Sequence, residues 1–176
     1  LLHEVAVVTE DMLGEDDKAI GYYEQIMAID ALHEAAVDAL ERLYEREERH
    51  AQLSKLLEQR LETATGEESK PIQLQLGELY LHELESYDTV MTHLEAVLQS
   101  DEDDVAGRRL AEECLEVPEL RQPAAALLDA VYEARDDIRD LVRVLEVRLE
   151  AAADEEHKRR LLHRIDAETC LQHCPV

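Results

Sequence analysis

Five stretches of this 176-residue chain repeat one pattern written in Leu, Tyr and Ala, and self-similarity at that period permits few folds. Leu40, Tyr44, Leu53, Leu57 and Leu61 align with Leu128, Tyr132, Leu141, Leu145 and Leu149, with steps of +4, +9, +4 and +4 in both sets. Val5, Thr9, Ala19, Tyr23 and Met27 align with Leu76, Tyr80, Val90, Leu94 and Leu98, with one residue more in the second step. A fifth copy opens at Leu161-Leu162-His163-Arg164-Ile165, echoing Leu1-Leu2-His3-Glu4-Val5. A spacing of about 35 residues denotes stacked helical units, each burying its apolar face against its neighbours.

The local chemistry agrees. Apolar residues recur at three- and four-residue intervals, as in Leu53, Leu56, Leu57 and Leu61, giving helices with one buried stripe. No segment alternates with period two, so an all-α fold is expected, with helices near 1–13, 16–29, 32–46, 48–65, 70–84, 87–99, 102–116, 120–134, 136–153 and 155–168. Gly14 supplies a stop between the first two, and Thr65–Pro71 forms the clearest turn between repeats. Asp101 and Asp136 are the expected N-caps of the helices that follow them. The short connections force neighbouring helices to run antiparallel.

These helices make one array over 1–168, in units 1–31, 32–66, 70–100, 120–154 and a partial unit 155–168, with 169–176 frayed or truncated. The repeats start at Val5, Leu40, Leu76, Leu128 and Ile165, and the long third step inserts a helix within 101–118. That helix is expected to lack a partner of the usual kind and to disturb the packing between Asp101 and Pro123. The chain starts without Met and ends inside a repeat, which reads as a piece of a longer protein.

Charge narrows the partners. The chain has 43 acidic and 18 basic residues, and phosphate binding needs clustered Lys and Arg, so nucleic acid and anionic membrane surfaces are not expected. Residues 1–120 carry 31 acidic and 9 basic residues, against 12 and 9 in 121–176. A basic protein partner facing the first two thirds would be attracted, although solvated helix faces are the simpler account of the acidity. Cys114, Cys170 and Cys174 form no disulfide framework, which fits a reducing, cytoplasmic compartment. No apolar run approaches the length of a membrane span.

Chemistry-bearing constellations are few. Cys170 and Cys174 share a helix face with His173 and His163 close by, but a closed zinc site needs four ligands and the others are not apparent, so no metal is expected. Asp101-Glu102-Asp103-Asp104 lacks the Gly and the terminal Glu of a calcium loop. None of the eight His forms His-Glu-x-x-His, and the five Gly are isolated, so no phosphate cradle exists. The chain is not expected to be an enzyme or to hold a cofactor.

Leu76-Gly77-Glu78-Leu79-Tyr80 is similar to the L-G-x-x-Y of helix A in tetratricopeptide repeats, in their bacterial form. Leu13-Gly14-Glu15-Asp16-Asp17-Lys18-Ala19 resembles the turn into helix B, and Asp30 stands before the usual closing Pro. The resemblance is specific over Val5–Asp30 and Leu76–Asp101 and looser over Leu40–Leu61 and Leu128–Leu149. The closing Pro is missing, with Ala31 and Glu102 in its place, and Glu41 and Asp129 replace small residues. The resemblance implies a right-handed superhelix of antiparallel helix pairs whose A helices line a concave groove for a peptide or helix. Its groove positions are His3, Val7 and Glu10; Arg42, Glu45 and Arg46; Glu78, Leu81 and His82; and Ala130 and Glu133. A protein-interaction scaffold is the expected function. The alternatives are a structural spacer, a self-association module, or a regulatory array serving a catalytic or signalling domain elsewhere in the parent protein.

Overall fold

A computed structural model describes residues 1–31 and 33–173, with the side chains of 171–173 left aside. Among the described residues there are ten α-helices, one 3-10 turn and no strand. In order they are α1 (Leu2–Asp11), α2 (Asp16–Ile29), α3 (Glu34–Arg46), α4 (His50–Thr63), α5 (Ser69–His82), α6 (Tyr87–Ser100), α7 (Val105–Cys114), α8 (Arg121–Ala134), α9 (Ile138–Ala151) and α10 (Glu155–His173). The 3-10 turn Gly66–Glu68 fills the gap between α4 and α5. They form two compact units, Leu1–Thr65 with α1 to α4 and Gly66–Val176 with α5 to α10. The last helix runs to His173, beyond the expected end at 168.

The two repeat spacings have a visible cause in the turns. In the shorter class the helix end is closed by a bond spanning five residues, Arg49 N–H to the Tyr44 carbonyl and Asp137 N–H to the Tyr132 carbonyl. In the longer class the closure spans six, Glu15 to Thr9 and Ser86 to Tyr80. Each turn reverses through one residue in the left-handed region: Gly14, Glu48, Glu85 or Asp136, with φ of 64°, 53°, 48° and 56°. Only Gly14 has the residue that adopts this conformation without a steric cost.

Each unit fills its core from the repeat positions. Tyr23, Leu40, Leu43 and Leu57 are fully or almost fully buried in the first, and Leu76, Leu94, Leu110, Leu128 and Leu145 in the second. The packing position of helix A holds Thr9, Tyr44, Tyr80 and Tyr132, all buried. Thr9 returns its hydroxyl to the Val5 carbonyl at 2.7 Å. Tyr44 donates to Glu24 at 2.9 Å, and Tyr132 donates to Glu112.

The inserted helix is α7, and the expectation that it lacks a usual partner is corrected: it packs against α5, α6 and α8. A shift of 71 positions carries α2 onto α6 and α4 onto α8 without changing either boundary. The same shift carries α3 onto α7, including the cap. His33 accepts from the Ala36 N–H, and Asp104 accepts from the Gly107 N–H at 2.7 Å. Seen from α5 and α6, then, α7 is the next A helix. A shift of 88 positions instead carries α4 onto α9, and Tyr44 with Glu24 onto Tyr132 with Glu112. Seen from α8, α7 is the preceding B helix. One ten-residue helix thus ends one register and begins the other.

Two caps differ from expectation. Asp104 rather than Asp101 caps α7, because Asp101 closes α6 and pairs with Lys70 at 2.8 Å. Asp137 occupies the N-cap position of α9, because Asp136 is the left-handed turn residue. Among the described residues, no helix is long and apolar enough to cross a membrane.

Candidate functional site

In the first unit, the expected contact residues cluster around one buried carboxylate. Glu10 lies on α1 one turn beyond Val7, and its side chain is only 4% exposed. A carboxylate so far removed from water must be paired and hydrogen-bonded, and here three groups converge on it. Arg42 of α3 forms a bidentate pair, its second contact being 3.2 Å from Nη2 to Oε2. Arg46, one turn further along α3, reaches Oε1 at 3.7 Å and Asp16 at 2.6 Å. The Tyr23 hydroxyl donates to Oε2 at 3.3 Å.

The electrostatics follow from that arrangement. Burial, reinforced by the Glu10 charge, pushes the Tyr23 phenol up to about 12, so it remains a donor. The hydrogen bond that Arg42 donates to Glu10 raises the guanidinium further above its already high value. Although both arginines are tied at one end, their side chains remain 56% and 46% exposed. A guanidinium carries five N–H donors in a rigid fork, so one held by a carboxylate still presents donors to solvent. The result is a fixed pair of cations on an otherwise acidic chain.

The remaining residues of this face are placed around the pair. His3 is half-buried, edge-on to Tyr23 at 6.1 Å between ring centres and tilted against His33 at 5.6 Å. Val7 is half-buried, and Glu45 is exposed on α3 between the two arginines in sequence. Sequence reasoning placed Arg42 and Arg46 on one face but missed Asp16 and Tyr23 as members of the cluster. The signal available was Tyr23 at a repeat core position with a polar terminus needing a partner.

In the second unit one expected contact residue is core and the others are exposed. Leu81 is buried in the core, which leaves little of its side chain for a partner. Glu78 is exposed on α5, and His82 is exposed but lies 3.3 Å from Glu113. Ala130 and Glu133 are exposed on α8, and Glu133 faces Arg164 at 3.4 Å. Beside them Asp129, buried like Glu10, is held by Arg148 and by both terminal nitrogens of Arg164, at 2.9 and 3.1 Å.

Among the described residues, no group of three His, Cys, Asp or Glu gathers that could hold a metal ion. Cys114 is fully buried, and burial followed by the nearby Glu113 charge pushes its thiol up to about 11, which suppresses the reactive thiolate. Cys170 is exposed, while Cys174, its expected companion, lies outside the described residues.

Residues 36–71 match the family model of the tetratricopeptide repeat. The matched stretch covers α3, α4 and the start of α5, where the motif resemblance was looser than in Val5–Asp30. No curated protein matches the chain. Among solved structures, the chain is similar to the crystal structure of nearly identical TPR-like repeats from a candidate kinesin light chain of Podosopora anserina. The two are 18% identical, the alignment covers 98% of this chain and 94% of that one, and the TM-score is 0.48.

Proposed function

We propose that this all-α helical repeat chain, which matches the tetratricopeptide repeat over residues 36–71, acts as a protein–protein interaction scaffold. It takes a peptide or helix of a partner on the face of α1 and α3 that carries His3, Val7, Arg42, Glu45 and Arg46. The observation that supports this reading is the Glu10 cluster: a buried carboxylate fixes two guanidinium groups that stay half exposed. Fixed donors lose little conformational entropy on binding, and arginine on a pre-ordered surface is a frequent source of binding energy. A carboxylate of the partner would sit on Arg42 and Arg46, while its basic residues would meet the acidic surroundings of Glu45. Glu78, His82 and Glu133 are further contact positions on the second unit, the first two one turn apart on α5.

The test must separate binding from folding, because either arginine also neutralises Glu10. The triple variant Glu10→Gln/Arg42→Gln/Arg46→Gln removes the cations without stranding a buried charge. The immobilised chain and the variant are compared for capture from the host's lysate at low and moderately high salt, beside their thermal unfolding. The reading expects a defined partner whose affinity falls by more than about 1 kcal/mol, roughly fivefold, in the folded variant. Unchanged capture by a folded variant would remove the two arginines from the contact surface.

A further inference from the structure

We propose that the cleft between α2 and α4 is a docking pocket for a peptide of a partner protein that inserts one leucine-sized side chain and sets an acidic residue against Lys55. The cleft lies inside the first unit, walled by three consecutive helices. Leu40 and Tyr44 of α3 and Leu56 of α4 are buried at its floor, and half-buried Met27 of α2 lines one side. Glu24, Gln52, Lys55 and Gln59 stand exposed around it. Its volume is about 200 Å³, below the ~300–1,000 Å³ of pockets that enclose small-molecule ligands, and it is suited to a single side chain. Leu40 and Tyr44 each lie about 200° around α3 from Arg42. The cleft and the arginine face therefore use different sides of that helix.

The second unit shows the same register completed from within. The 88-residue shift carries Glu24, Tyr44, Gln52 and Lys55 onto Glu112, Tyr132, Asp140 and Arg143. There Tyr132 donates to Glu112, and Arg143 pairs both with Glu112 and with Asp140, the latter at 3.4 Å. In the first unit Tyr44 likewise donates to Glu24, but Gln52 stands in place of the second carboxylate. Lys55 forms no ion pair among the described residues. Met27 corresponds to Leu115, which is only 6% exposed. The cation that the second unit neutralises with its own acids is thus left at the rim of an apolar cleft.

Those two features select the occupant. An aliphatic side chain removes the apolar floor from water. Glu24 already accepts from the Tyr44 phenol, which burial and that hydrogen bond hold protonated. The Lys55 ammonium has three donors to offer, so a carboxylate beside the inserted side chain finds a partner that a second cation would not.

The experiment uses the full chain with isotope-labelled methionine methyl groups, observed by NMR, so that Met27 reports on the cleft itself. The probe is the acetylated, amidated peptide Gly-Ser-Glu-Leu-Glu-Ser-Gly, at about 0.15 M salt, where screening weakens repulsion from the acidic chain as a whole. It should shift the Met27 methyl saturably and bind about fivefold more tightly than a twin flanked by Lys. A twin with Gly in place of Leu should leave Met27 unmoved. Lys55→Glu should reverse the preference, and Gln59→Trp, which lays a ring across the cleft, should abolish the shift. Both positions are exposed, so both variants keep the unfolding temperature of the parent. Glu10→Gln/Arg42→Gln/Arg46→Gln should respond as the parent does, which separates this pocket from the arginine face. Equal binding of the Glu- and Lys-flanked peptides, a Met27 methyl unmoved by every peptide, or a shift that survives Gln59→Trp overturns the proposal.

Discussion

Leu110 Cδ2 of α7 lies 3.0 Å from the point where a Cβ on Gly77 of α5 would stand. The absent side chain of Gly77 is what lets α7 settle against α5, and Gly107 performs the same service toward α6. A Cβ at Gly107 would meet Val97 Cγ1 at 2.9 Å and Leu98 Cδ2 at 3.2 Å. Two helical glycines therefore seat the one helix that belongs to both repeat registers.

Substituting these glycines should give graded effects. Gly107→Ala drives a methyl into a β-branched neighbour that cannot rotate away, and should cost about 2 kcal/mol in chemical unfolding. Gly77→Ala meets the far end of a leucine and also gains helix propensity, so its cost should stay below about 1 kcal/mol. Gly21→Ala, with nothing within 4 Å, should stabilise by about 0.5–1 kcal/mol. A Gly107→Ala protein as stable as the parent would contradict the seating of α7 on α6.

The Glu10 cluster should be more sensitive to loss of its cation than to loss of its charge. Arg42→Ala leaves a buried carboxylate served only by Arg46 and Tyr23, at a cost of about 1–2 kcal/mol. That is less than the ~3–5 kcal/mol of a fully buried pair, because Arg42 is half exposed. Glu10→Gln/Arg42→Ala should recover part of that loss, because no buried charge is then stranded. Urea titrations of the parent, both single variants and the double variant measure the coupling directly.

Alkaline pH should destabilise the fold through its buried acids, among them Cys114 and Tyr23, with Tyr44 and Tyr132 raised by burial in the same direction. The unfolded Cys114 thiol ionises from its ordinary value of 9.0, while the native thiol holds its proton to about 11. The Tyr23 phenol is likewise raised from 10.0 to about 12. In both cases the native state binds the extra proton, so this stability is complete below pH 9 and is lost as pH rises through 11 and 12. Unfolding midpoints should fall over that window, and the decline between pH 9 and 10 should flatten in Cys114→Ala. At neutral pH, in a Cys170→Ser/Cys174→Ser background, Cys114 should react with a thiol reagent only as fast as the native state opens.

The left-handed turns offer a stabilising change. Glu48→Gly and Asp136→Gly place the permissive residue where φ is already positive, and each should gain a few tenths to about 1 kcal/mol. Gly14→Ala should lose about 1 kcal/mol for the converse reason. Melting temperatures of the three variants order them; a destabilised Glu48→Gly would mean that its side chain contributes more than the turn strain costs.

Much of this architecture is written along the chain. Apolar spacing fixed the helices and their buried stripes, since each helix obeys its own periodicity whatever lies beside it. Even the one-residue difference between repeat classes reappears as turns closed over five or six residues. What periodicity does not encode is which neighbour a stripe meets. Leu81, aligned with surface positions, is core, and α7, which looked unpartnered, is held on both sides because Gly77 and Gly107 admit it closely. Glu10 and Arg42 stand 32 residues apart, and only the packing of α2 against both α1 and α3 makes them a pair. Short-range sequence determined the elements, because helix formation is local. Tertiary structure decided which charges are buried and which are presented, because desolvation depends on every helix that packs around a side chain.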